Sequence, residues 1–374
     1  MIVTFTGDIS VTGTFIQPII SNKEIFSDLM LSELKKSDFV ICNFEGPATN
    51  HTAPINKNTP LKSPINSIKY LNERNVSIFN LANNHTLDYG ETGLKHTLEE
   101  IKNEKCSSFG ASLKKEELNT PLIIKKDGIS IALFGITKCK PIAIKNAQLF
   151  SADDFSTLKK QVEGYKNNVD FIIINFHGGE EYSLYPSPVK RNFLKKIAAL
   201  PMVDCVISHH SHTFQGYEKY KSTYIFYSLG NFIFDIPNHK PYQETNNSAL
   251  LNLHFTKNNF SFSFLPFQIN KAKITNTNQV LFKQKIAELS NFTNYKNNWQ
   301  KEAFRILFRK ENPNLKRTFK DENSLQNKSF TTNLLSRDFY TKAIIILKDE
   351  YMFSLYLNAI MHRVKKKFTS WKLH

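Results

Sequence analysis

Asp8, Glu45, Asn84, His177, His210 and His212 offer carboxylate, amide and imidazole donors, and they stand at the ends of five short β-branched or aromatic runs. That mixture suits a divalent transition metal such as Mn, Fe or Zn, and a carboxylate can bridge two ions. One or two ions could activate a water and clamp the attacking and leaving oxygens of a displacement, so hydrolysis is the reaction the set fits best. His85, beside Asn84, is a candidate proton donor, and Asp88 joins it as a second catalytic candidate. His210 and His212 alternate on what reads as an extended segment, which puts both rings on one side. Glu180, Glu181 and Tyr182 follow His177 and could orient it or contact an amine of the substrate. Tyr227, Ser228 and Asn231, with Asp235 beyond them, are candidates for the rim where substrate binds. Each signal has a structural alternative when taken singly: Gly7–Asp8 as a turn, Asn84–His85 as a helix start with Asn or Thr capping. Their coincidence at five strand ends of one chain favours chemistry.

The elements that must position these side chains are strands and helices in alternation. Apolar runs at 2–8, 39–45, 76–85, 129–137, 171–182, 205–212 and 224–232 have the composition of strands buried on both faces. Helical spacing lies between several of them, at 24–36, 91–104, 153–167 and 188–199. Strand alternating with helix predicts α/β architecture, a largely parallel sheet and a crevice at the carboxyl ends of the strands. The polar clusters then converge on one rim. Residues 249–267 alternate and predict a closing hairpin around Asn258 and Asn259.

The chain has 374 residues, 41% of them hydrophobic, which excludes disorder and fibrous classes. Its formal charge is +16, of which residues 271–374 supply +13. Two segments are expected: a catalytic one over 1–270 and a basic, mainly helical one over 271–374. In the latter, Ala303, Phe304, Leu307 and Phe308 recur at helical spacing and Phe339–Met361 is a longer helical stretch, while 310–336 read as a loop. The end carries Arg363, Lys365, Lys366, Lys367 and Lys372 around Phe368 and Trp371, suited to an anionic membrane surface or an acidic polymer, or else simply a solvated tail. No run reaches the roughly 18 apolar residues of a membrane span, and no leader pattern opens the chain. Four cysteines, far apart and in no CxxC pair, read as small core residues in a reducing compartment. The expected location is the cytoplasm, peripheral to the inner membrane face through the basic end.

FTGD at 5–8, NFEGP at 43–47, LANNHTLDYG at 81–90, HGGEEY at 177–182, HHSH at 209–212 and YSLGNFIFD at 227–235 resemble, in order, the motifs of the CapA family of capsule and poly-γ-glutamate synthesis proteins. The resemblance covers about residues 2–267, with nothing in 271–374 belonging to it. That family is related to the calcineurin-like metallophosphatases, so the resemblance implies a β-sandwich flanked by helices, two facing sheets instead of one, with a C-terminal helical extension. It implies one ion held by Glu45, Asn84, His177 and His210, and another by Asp8, Glu45 and His212, with Ser10 standing where those enzymes have a histidine. It also implies that His85 protonates a leaving group. The chain departs from the pattern at Gly178, where the family usually shows Trp, and at Ser208 and Ser211 around the paired histidines.

Three functions are open to this sequence. The first is a metal-dependent hydrolase or accessory factor, cleaving an amide or phosphoester bond in the synthesis, release or attachment of an anionic surface polymer such as poly-γ-glutamate. The second is a non-catalytic scaffold with a structural or vestigial metal site, whose residues 363–374 hold the polymer, a membrane surface or a membrane-bound synthase. The third, a nuclease, ranks last: the basic residues lie outside the catalytic part and no nucleic-acid motif accompanies them, so no specific nucleic-acid partner is expected.

Overall fold

A computed structural model describes residues 1–55, 59–138, 148–151, 154–308 and 350–371, with side chains at all of these except 243, 308 and 363–371. Two β-sheets face each other, with helices on the outer surface of each. The first sheet runs in the order Lys273–Asn276, Phe260–Asn270, Asn247–Phe255, Ile2–Ile9, Phe39–Phe44, Val76–Asn80, Ser107–Phe109, and Asn231–Ile233 also pairs with Ile2–Ile9. The second runs Phe214–Tyr220, Thr223–Leu229, Val203–His209, Phe171–His177, Ile129–Thr137, Leu122–Lys126. The single, largely parallel sheet suggested by the strand–helix alternation is therefore replaced by the two facing sheets of a flanked sandwich.

Period-two alternation explains the layering. Along Phe39–Phe44, Val40, Cys42 and Phe44 point outward to the helices Asp28–Lys36, Ser67–Asn72 and Gly90–Asn103, while Ile41 points between the sheets. Along Phe171–His177, Ile172, Ile174 and Phe176 pack outward on Phe155–Tyr165 and Pro188–Ala198, and Phe171 and Ile173 point between the sheets. On the inward parity every central strand changes character near its carboxyl end: Ile41 gives way to Asn43 and Glu45, Ile78 to Asn80, Ile173 to Asn175 and His177, Ile207 to His209. The inter-sheet layer is thus hydrocarbon at one end and polar at the other. All the named polar residues are buried, so they must satisfy one another or a ligand.

The hairpin expected at 249–267 is present, Asn247–Phe255 against Phe260–Asn270 in antiparallel register, turning through Thr256–Asn259. The boundary expected at 270 falls inside the next hairpin, because Lys273–Asn276 pairs back onto Phe260–Asn270. Helix Tyr295–Phe308 buries Trp299, Ala303, Ile306 and Leu307 in the same cluster as the inter-sheet residues, joined there by Leu355 and Ala359 of helix Glu350–Trp371. Residues 310–336 and 339–349 lie outside the described ones, as do Cys139 and the side chains of Arg363, Lys365, Lys366, Lys367, Phe368, Trp371 and Lys372. Cys42, Cys106 and Cys205 are free thiols. Among the described residues no helix is long and apolar enough to cross a membrane.

Candidate metal centre

Asp8 reaches the polar end of the inter-sheet layer through a break in strand register between Phe5 and Asp8 and another between Asp8 and Ile9. Such bulges re-aim a side chain. Gly7 permits the neighbouring approach, since a Cβ there would stand 2.1 Å from the Gly230 carbonyl oxygen, which accepts the Asp8 N–H at 2.9 Å. Asn43, opposite Asp8 in the register, donates through Nδ2 to Asp8 Oδ1 at 2.9 Å and lies 3.1 Å from His177 Nδ1. Its own orientation is fixed by Asn80, whose amide donates to Asn43 Oδ1 at 3.0 Å while accepting the Ala82 N–H at 3.2 Å.

Around these the expected ligands converge. His177 Nε2 lies 2.8 Å from Asn84 Oδ1, 3.0 Å from His210 Nδ1 and 3.8 Å from Glu45 Oε1. His212 Nδ1 lies 3.4 Å from Asp8 Oδ2, and its Nε2 3.9 Å from Glu45 Oε1. Two donor groups result, Glu45–His177–His210 and Asp8–Glu45–His212, each with its ligand atoms within 4.8 Å of one another. They share Glu45. A third group, Glu181–His210–His212, places the exposed Glu181 at the solvent side of the same histidines. Carboxylate oxygens, an amide oxygen and imidazole nitrogens in one buried cluster fit a divalent transition metal.

The proton states follow from burial and charge. Burial alone would raise Asp8, but contacts from His209 and His212 outweigh it and hold the carboxyl well below the usual range. Burial, reinforced by the neighbouring His210, lowers His177, and burial lowers His210 to about 4. Both rings are neutral near pH 7 and present lone pairs. His212 goes the other way: burial disfavours its charged form, yet Glu45 and Asp8 raise it to about 10. Asn231 orients this ring. Its Nδ2 donates to the Thr245 carbonyl at 3.2 Å, so its Oδ1 faces His212 Nδ1 at 3.0 Å and leaves His212 Nε2 toward Glu45.

His85 sits in the turn after Val76–Asn80, ahead of the helix that begins at Gly90, so Asn84 and His85 neither continue a strand nor cap that helix. Asn83 organises the turn, accepting the His85 N–H at 3.1 Å and donating to the Phe44 carbonyl at 2.8 Å. His85 Nδ1 lies 2.5 Å from Asp88 Oδ2, which also accepts the Leu61 N–H at 2.8 Å. Its other nitrogen lies 3.7 Å from Glu45 Oε1.

Some candidates sit elsewhere or differently. Tyr227 packs outward beneath the helices of the second sheet, on the face turned away from the inter-sheet layer, and its hydroxyl donates to Glu218 at 2.9 Å. Ser228 Oγ accepts the Gly230 N–H within its own turn. Glu180 is buried, accepts the Ser187 N–H, and is raised to about 7 by burial. Asp235 is taken up by the backbone and hydroxyl of Thr14. Asn231 holds the His212 ring through its side-chain oxygen, and Tyr182 forms a wall instead, stacked on Tyr242 at 4.2 Å with its ring 6.1 Å from His212. The segment carrying His210 and His212 is a bend, not an extended strand: the two residues have φ of 87° and 57°. Both rings nonetheless face the cluster, held by backbone of the sparsely populated left-handed region. Sequence reasoning missed Asn43, His209 and His239. His209 Nδ1 lies 3.1 Å from Asp8 Oδ1, and the His239 ring is 4.5 Å from that of His212.

The chain matches the family model described as bacterial capsule synthesis protein PGA_cap over residues 2–236. It is 29% identical over 316 residues to the PGA biosynthesis protein CapA of Bacillus subtilis (strain 168), covering 82% of this chain and 81% of that one. That share is more than residues 1–270 can supply, so the similarity reaches into the C-terminal segment, which was expected to lie outside it. It is 32% identical over 236 residues to the capsule biosynthesis protein CapA of Bacillus anthracis, covering 60% of this chain and 56% of that one. Similar solved structures include the calcineurin-like phosphoesterase YfkN from Bacillus subtilis, 15% identical with a TM-score of 0.42 over 80% of this chain and 97% of that one. Another is the 5′-nucleotidase from Candida albicans, 14% identical with a TM-score of 0.44 over 76% of this chain and 54% of that one. The matched residues 2–236 hold every donor of the cluster, and the chain belongs to the bacterial capsule synthesis protein family, PGA_cap.

Proposed function

We propose that the chain is a metal-dependent hydrolase of capsule synthesis, cleaving an amide or phosphoester bond in an anionic surface polymer of the poly-γ-glutamate type. The observation that carries this reading is the meeting of the two Glu45-sharing donor groups with a His85–Asp88 pair aimed at the same carboxylate. The polymer class comes from the names of the similar Bacillus proteins. Glu45, Asn84, His177 and His210 would hold one divalent ion, Mn, Fe or Zn, and Asp8, Glu45 and His212 a second. An ion so held supplies Lewis-acid polarisation and lowers the pKa of water.

The chain's own residues do the rest. Asp88 fixes the His85 ring through Nδ1 and leaves Nε2 to carry a proton toward a leaving group near Glu45. The stacked Tyr182 and Tyr242 wall one side of the centre. Glu181, exposed beside His210 and His212, is placed to meet an amine or a hydrated cation at the mouth.

The scaffold reading draws on the thinner second group, which has three donors, with the buried Ser10 Oγ unpartnered just past the end of the strand that carries Asp8. Assays with poly-γ-glutamate, phosphodiesters and phosphomonoesters, run with manganese and with chelator, separate the two readings. Hydrolysis is expected to need manganese and to fall about 10²–10⁴-fold in His85→Ala with bound metal unchanged. Rates equal to the chelated control on every substrate favour the scaffold.

A further inference from the structure

The bend that carries His210 and His212 does not hold itself. Non-glycine residues at φ of 87° and 57° need surroundings that over-determine them. Part of that support comes from Tyr182–Pro186. The Ser211 carbonyl accepts the Tyr182 N–H at 2.8 Å, and the Ser183 carbonyl accepts the Thr213 hydroxyl and the Gln215 amide, the latter at 2.9 Å. Tyr182 itself sits at φ 62°. The segment is therefore a strained loop clamped to a strained bend.

Its other side is held by helix Tyr295–Phe308. Arg305 Nη2 donates to the Tyr182 carbonyl at 2.5 Å, Glu302 accepts the Leu184 N–H at 3.1 Å, and Tyr295 donates its hydroxyl to the Pro186 carbonyl at 2.7 Å. Arg305 and Glu302 pair with each other at 2.8 Å, with side chains 11% and 10% exposed. Buried and mutually hydrogen-bonded, the pair is stiffer than a solvated surface bridge. Trp299, fully buried two turns earlier, fixes the helix to the inter-sheet core.

We infer that Glu302, Arg305 and Tyr295 are positioning residues for the metal centre: helix Tyr295–Phe308 braces Tyr182–Pro186, which braces the bend that presents His210 and His212. No donor atom belongs to the helix, and it lies beyond residues 2–236, so its role is to keep two ligand rings aimed. The inference rests on the reading of these histidines as ligands. Its test therefore has one arm that needs no metal.

In Arg305→Ala and Glu302→Gln, amide hydrogen exchange measured on the full chain without metal is expected to quicken at 181–187 and 209–213 while Phe39–Phe44 stays protected. Manganese affinity by titration is expected to weaken about 10–100-fold, the range for supports of metal ligands. Arg305→Lys, which keeps a cation and donor, should recover part of both effects. Lys301→Ala, an exposed change on the same helix, should give neither. Should Arg305→Ala prove unfolded, Tyr295→Phe, which removes one hydroxyl, gives the same exchange pattern more weakly. Unchanged exchange at 209–213 in folded Arg305→Ala and Tyr295→Phe overturns the inference. A wild-type chain that binds no manganese counts instead against the metal reading, and the exchange result still decides this one.

Discussion

On one side of Glu45 stand two neutral rings, His177 and His210; on the other stands a cationic one, His212, between Glu45 and Asp8. The metal-free protein thus sets an imidazolium beside Asp8 and only lone pairs on the His177 side. An ion entering the first group would meet neutral imidazole nitrogens. An ion entering the second would have to displace the proton of His212, so weaker binding there at neutral pH is expected.

The largest expected effect breaks both groups at once. Glu45→Gln removes the shared carboxylate and should weaken manganese binding by more than about 100-fold, beyond the range for supporting residues, as read by paramagnetic resonance titration. Tight binding of two ions in that variant would dissolve the comparison. Next come the separate halves. His210→Ala should lose the tighter ion, whereas His212→Ala should keep it and lower the stoichiometry from two to one. Equal losses would show that the groups do not act separately.

Acid sharpens the contrast. His210 titrates at about 4 in the folded chain against an ordinary 6.5, so between those values the unfolded chain takes up a proton that the folded chain refuses. Its stabilising contribution is full above pH 6.5 and falls as pH drops toward 4, by at most about 3 kcal/mol. His212 is the mirror image, contributing fully below 6.5 and losing that contribution as pH rises through about 10. Urea midpoints of the metal-free chain should therefore decline at both ends, and a midpoint that improves on acidification from 6.5 to 4.5 would contradict the assignment. The smallest effect belongs to Asn231→Ala, which frees the His212 ring and should weaken only the second ion, about 10-fold.

Much of this centre was legible because its donors are rare residue types at the ends of apolar runs. Asp8, Glu45, His177 and the 210–212 pair stand out wherever the fold puts them. Asn43 did not stand out, since an asparagine inside FVICNF looks like a strand interruption. The parity Ile41, Asn43, Glu45 held the signal, as Ile207 and His209 did on the facing sheet. The same parity separates Tyr227, outward with Ile225, from Phe226, inward between the sheets. His239 was not legible at all: only the path of Pro237–His239 brings its ring to His212. Nor was the bracing by Glu302 and Arg305, which depends on where a distant helix docks. The left-handed bend at 210–212 likewise reflects tertiary support that local sequence does not encode.

The function proposed for this centre requires that these side chains close on a common cation. Anomalous scattering from crystals soaked in manganese tests it most directly. A strong peak bounded by Glu45, His177 and His210 is expected, with a weaker one bounded by Asp8, Glu45 and His212. A featureless anomalous map at that position under saturating manganese would contradict it.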